Sequence, residues 1–154
     1  MHASVVVLAL MVFVGALAAT VLNEEVSASR AGTDLARAQS VLASVGTVRQ
    51  VLEAGHSLPP GSTPLADVPM PPWFAMRTDT QYTLVRQGVH TYLVARYESP
   101  GDALRVRAAA DRLTPGVALA VQGNQLRRND ATSPSLPAPT GLTARDVVLK
   151  IDGN

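Results

Sequence analysis

Hydrophobic positions are arranged along this chain in three distinct ways, and each predicts a different element. From Ser4 to Leu22 the sequence SVVVLALMVFVGALAATVL runs for 19 residues without a charged side chain. At about 1.5 Å of rise per residue, a helix of that length covers roughly 28 Å, close to the roughly 30 Å hydrocarbon core of a bilayer. A helix on the surface of a soluble domain shows one polar side to water, and this one has none. Residues 1–23 are therefore read as a single-pass anchor, with Val5, Leu8, Val12, Phe13, Leu17 and Leu22 as its lipid-facing residues. Ala16-Leu17-Ala18 also fits the small-x-small pattern that signal peptidase reads, so cleavage after Ala18 is the rival expectation. Against cleavage, Met1-His2-Ala3 carries no Lys or Arg and the apolar run continues past the site through Val21-Leu22. A head this short is easily left behind, so the bulk of the chain is expected to cross.

The period then changes to that of an amphipathic helix. Gly32-Thr33-Asp34 is expected to break and restart it, with Thr33 as N-cap and Asp34 at the positive end of the dipole. Leu35, Ala38, Leu42, Val45 and Leu52 follow helical spacings, Val41, Val48 and Val51 widen the stripe, and Gly55 supplies a stop. Leu35, Leu42, Val45 and Leu52 are thus a stripe for packing, either on the chain's own domain or on a partner helix. Residues 24–55 read as a stalk helix. His56 to Pro72 contains six of the eleven prolines and no periodic run, so residues 56–72 read as a linker.

Beyond Pro72 the pattern becomes that of short strands rich in Val, Thr, Tyr and Leu. Trp73–Met76, Tyr82–Arg86 and Val89–Tyr97 are expected strands, the last two joined as a hairpin at Gln87-Gly88. Asp102–Leu113 is expected to be a helix with Leu104, Ala108 and Leu113 on its apolar side. Val117–Val121 and Leu126 flank Gly123-Asn124, a second hairpin signal. Asn129–Thr143 reads as a polar crossing loop and Val147–Ile151 as a closing strand. The fold class is α+β: an N-terminal transmembrane helix and amphipathic stalk, then a small antiparallel-sheet domain with one short helix at residues 73–154.

Composition adds mainly exclusions. With 13 Lys plus Arg against 12 Asp plus Glu, the net charge of +1 supplies no field for nucleic acid. The absence of cysteine removes disulfides, thiol nucleophiles and Cys-based zinc sites. His2, His56 and His90 lack any ligand spacing, and the sequence carries no phosphate-binding glycine loop or nucleophile elbow. No catalytic residue, metal site or cofactor is expected. Arg105, Arg107 and Arg112 read as a solvated helix face. The single Trp73, next to Phe74, is expected to plug the core of the small domain, the alternative being an exposed recognition anchor.

The order Pro71-Pro72-Trp73-Phe74, then Tyr82, then Gly88-Val89-His90-Thr91-Tyr92-Leu93-Val94, then Val117-Ala118-Leu119-Ala120-Val121 with Gly123 and Leu136-Pro137-Ala138, resembles the small PilM family of type IVb thin-pilus systems. That family is unrelated to the actin-like protein of the same name. The resemblance covers essentially the whole chain through order and length, with Trp73, Gly88 and Tyr92 matching as structural positions. It implies a noncatalytic component of pilus assembly in the bacterial inner membrane, its C-terminal domain periplasmic, working with other pilus-assembly proteins. A pilin-like fibre subunit is the alternative. Pilins carry a Gly before the apolar run and a Glu five residues into it, whereas here Gly15 lies inside the run and position five is Val5.

Overall fold

A computed structural model describes residues 2–128 and 135–151, with only the helical backbone described for residues 2–10. Its elements are α1 (His2–Glu53), β1 (Gly61–Pro64), a 3-10 turn (Leu65–Asp67), β2 (Gln81–Gln87), β3 (His90–Arg96), α2 (Pro100–Leu113), β4 (Ala118–Gln122), β5 (Gln125–Arg127), β6 (Leu136–Pro137) and β7 (Asp146–Ile151). The chain divides into two compact units, residues 1–33 and residues 34–154. The α+β layout expected from the sequence is present: a long apolar N-terminal helix, a small antiparallel sheet and a short helix.

In the first unit every described side chain from Met11 to Thr33 is exposed, including Val12, Phe13, Leu17 and Leu22. The expected break at Gly32-Thr33-Asp34 is absent. Helical geometry runs through these residues, and the Thr33 hydroxyl donates to the Ser29 carbonyl one turn back instead of capping a new helix. A glycine inside a helix costs only about 1 kcal/mol, too little to end one alone. Termination comes where Gly55, at φ +93°, takes the left-handed conformation that stops a helix.

The second unit is built on one antiparallel sheet of order β1-β2-β3-β7-β4-β5-β6. The closing strand β7 therefore lies at the centre, between β3 and β4, with Leu93 opposite Leu149 and Leu119 opposite Val148. Side chains alternate across the pleat. Tyr82, Leu84, Leu93, Ala95, Val147, Leu149 and Ile151 pack on one face against the end of α1 and against α2. Tyr92, Val94, Leu119, Leu126 and Val148 occupy the other, covered by Ala138 and flanked by Leu136 and Leu142. Two hairpins turn through Gly88-Val89, one residue later than the expected Gln87-Gly88, and Gly123-Asn124, whose glycines sit at φ +60° and +59°, the conformation a two-residue turn needs at its first central position.

Several expectations require correction. Residues 56–72 are no mere linker: β1 pairs with β2 from Gly61↔Arg86 to Pro64↔Thr83, and Leu58, Leu65 and Val68 are buried. A proline is tolerated there because β1 is an edge strand. Trp73–Met76 is not a strand but a turn and extended loop. Helix α2 starts at Pro100, not Asp102. The Ser99 hydroxyl accepts from the Asp102 amide, and Pro100 at the first helical position gives up no bond. Its buried face is Ala103, Val106 and Ala110, whereas Leu104, Ala108 and Leu113 are exposed, so small residues let α2 lie close to the sheet. Of the crossing loop at 129–143, residues 129–134 lie outside the described residues, and Leu136–Pro137 pairs with β5 as β6.

Candidate functional site

The end of α1 carries the expected packing stripe, and the sheet buries Val45 of it with the valines beside it more deeply than Leu42 and Leu52. Ala38, Val41, Val45, Val48 and Val51 are buried, Leu42 and Leu52 only partly, and Leu35 is 41% exposed. The β-branched valines face the sheet, and the leucines flank them. Of the anchor residues, Val12, Phe13, Leu17 and Leu22 present exposed apolar surface, while Val5 and Leu8 lie in the part of α1 described by backbone alone. The helix beginning there meets the length and composition of a membrane span and, equally, of a signal sequence.

Trp73 does not plug the core. It is 69% exposed, edge-on to Phe74 at 6.3 Å between ring centroids, on a loop whose base is fixed by buried Val68 and by Met70 packed on the core. The loop carries prolines 69, 71 and 72, and Phe74 closes a turn through its amide to the Pro71 carbonyl. Gly88 and Tyr92 do take structural roles: Gly88 makes the hairpin turn, and Tyr92 is buried, with His90 tilted 6.2 Å away. Burial pushes the Tyr92 hydroxyl above its ordinary pKa.

Sequence reasoning missed a polar cluster where α1 meets the start of β2. Arg77 donates to both oxygens of Asp79 at 2.8 and 2.9 Å, and Arg37 donates to Oδ2 of Asp79 from α1 at 3.2 Å. The Arg77 hydrogen bond, opposed by desolvation and reinforced by Arg37, holds the Asp79 carboxyl well below the usual carboxylate range. Arg37 also lies 5.8 Å over the Tyr97 ring. Burial raises the Tyr97 hydroxyl well above its ordinary value. Nearby, Ser40 and Tyr82 share a hydroxyl hydrogen bond at 3.1 Å. Asp34, buried on α1, accepts from Arg105 at 3.0 Å, and Arg105 in turn pairs with Asp102. Contacts spanning 42 and 71 residues in sequence carry no local signal in the chain.

A second cluster orders the sheet end. Arg96 donates in a fork to Asp146 at 2.7 and 2.9 Å, and Asp146 also accepts from the Thr143 amide at 2.7 Å. A shallow cleft of about 380 Å³ between these clusters is lined by Thr78, Asp79, Tyr97, Glu98 and Arg145. Of the carboxylates lining it, Asp79 is paired with Arg77 and Arg37. Among the described residues no group of three or more His, Asp or Glu comes together as a metal site. His56 is exposed at the end of α1 and His90 half-buried on β3. No protein-family model, curated protein or solved structure matches this chain.

Proposed function

We propose that this chain is a noncatalytic, inner-membrane-anchored component of type IVb pilus biogenesis, with residues 34–154 in the periplasm and other pilus-assembly proteins as its partners. The observation that carries the reading is the split use of α1: its apolar run is exposed at every described position, whereas residues 38–51 of the same helix form one wall of a folded core. An exposed apolar run of this length needs lipid or protein around it, and a folded domain at its end is what an anchored assembly subunit presents. The order of motifs from Pro71 to Ala138 supplies the pilus class through the resemblance. Exposed Trp73, with half-buried Phe74 beside it on a proline-rich loop, supplies the kind of aromatic anchor that protein contacts centre on.

The test is carbonate extraction of membranes, a periplasmic reporter fused after Asn154, and cross-linking in cells with active pili. Retention in the membrane, periplasmic activity and a cross-link to an assembly protein are expected. A soluble product beginning at Ala19 overturns the anchor, and a reporter active only in the cytoplasm overturns the orientation.

One observation favours the fibre-subunit alternative, namely the continuity of α1 through Gly32-Thr33-Asp34. A subunit that leaves the membrane for a fibre needs its apolar helix to stay structured on the way. Recovery of the chain in sheared pili decides for that reading.

A further inference from the structure

The packed half of α1 is held in two chemically different ways. From Val41 to Val51 the contact is apolar: Val41, Val45, Val48 and Val51 are buried, and the buried hydroxyls of Ser44 and Thr47 turn back onto the helix's own carbonyls. From Asp34 to Ser40 it is polar. The ties are Asp34 to Arg105, Arg37 to Asp79 and to the face of Tyr97, and Ser40 to Tyr82. Ala38 is the sole buried apolar residue in that stretch, while Leu35 and Ala36 are exposed.

These two kinds of contact differ in strength and in what weakens them. Burial of four valines is insensitive to ionic strength and cooperative with the rest of the core. The ion pairs are wet at their arginine ends, with Arg105 51% and Arg37 21% exposed, so salt and water compete for the guanidiniums although Asp34 itself is only 11% exposed. Local opening starts where few apolar contacts are buried. We propose that Asp34–Ser40 is a releasable strap, a segment of α1 that detaches from the domain as a unit while Val41–Val51 stays docked. Freed as helix, these seven residues add about 10 Å of reach before the core is touched. That reach serves as slack between anchor and domain, a use that rests on the membrane reading above. The release itself does not.

The chain has no native cysteine, so one introduced thiol reports one site. The test uses the full chain in detergent micelles, carrying Ala38→Cys or Val48→Cys, both at fully buried positions. Maleimide labelling is measured at low salt and at about 1 M NaCl, where the Debye length falls to about 3 Å. It is repeated in an Arg37→Gln/Arg105→Gln background. Expected is labelling of Ala38→Cys at least tenfold faster with salt or with the arginines removed, and continued protection of Val48→Cys in both. Equal protection of the two thiols under every condition overturns the strap, and so does a parallel rise of both, which is unfolding of the whole domain. If Ala38→Cys does not fold, Ser40→Cys, half-buried and replacing the hydroxyl that ties to Tyr82, reads the same segment by its change in labelling between low and high salt. Membrane location does not enter this readout, so a failed strap and a failed anchor are told apart.

Discussion

Arg37 on α1 and Asp79 before β2 meet at 3.2 Å across 42 residues of sequence, fastening the helix to the sheet. Because Arg77 and Arg37 hold Asp79 below its unfolded value, the native state binds fewer protons than the unfolded chain at acid pH. Its contribution is therefore fully present at neutral pH and is lost as pH falls below about 4 toward the lower folded value. Asp79→Asn is expected to cost at most about 1 kcal/mol at neutral pH, the side chain being one-third exposed, and to flatten the acid limb of the stability curve. Urea unfolding at several pH values, wild type against variant, checks it. An unchanged acid slope refutes the assignment.

Trp73 is the chain's single tryptophan, and its exposure predicts contrasting outcomes for two aromatic truncations. Trp73→Ala is expected to shift stability by no more than about 0.5 kcal/mol, as for most surface sites. Tyr92→Ala, at a position 1% exposed, is expected to cost about 3 to 5 kcal/mol. Circular dichroism through chemical unfolding compares them. Iodide should quench the native indole freely, and a protected indole would restore the core placement.

Local chemistry was the readable part of this sequence. Gly88 and Gly123 announced their hairpins because a tight turn needs positive φ at one residue, and Gly55 announced the helix end for the same reason. Strand β1 was hidden because a four-residue edge strand exists only through its pairing with β2, and its prolines read as a loop. The inward face of α2 was misread because volume between helix and sheet, not hydrophobicity, selects Ala103, Val106 and Ala110 over Leu104 and Leu113. The placement of Trp73 and the pairing of Arg37 with Asp79 depend on tertiary contacts that no short window contains.

Charge substitutions separate the wall of the core from its flank. Val48→Asp puts an unpaired carboxylate at a position with no exposed surface and is expected to cost several kcal/mol. Leu42→Asp, at a partly buried position, leaves its carboxylate a route to water and is expected to be the milder change. Thermal unfolding in micelles ranks the two. A Leu42→Asp loss equal to that of Val48→Asp would mean that another surface covers Leu42.

Arg96 and Asp146 form a cross-strand pair in which the burden of burial is one-sided: the Asp146 side chain is fully buried and that of Arg96 is 46% exposed. Removing the arginine leaves the buried carboxylate, among the described residues, with Thr143 as its remaining side-chain and amide donor, whereas neutralising the aspartate leaves an arginine that water can take up. Arg96→Ala is therefore expected to cost more than Asp146→Asn, by about 1 to 3 kcal/mol, at neutral pH. Chemical unfolding of both variants at neutral pH gives the comparison. A smaller loss for Arg96→Ala than for Asp146→Asn at neutral pH would show that the carboxylate is satisfied by Thr143 alone, and the sheet end would then owe its order to the turn before β7 instead of to the pair.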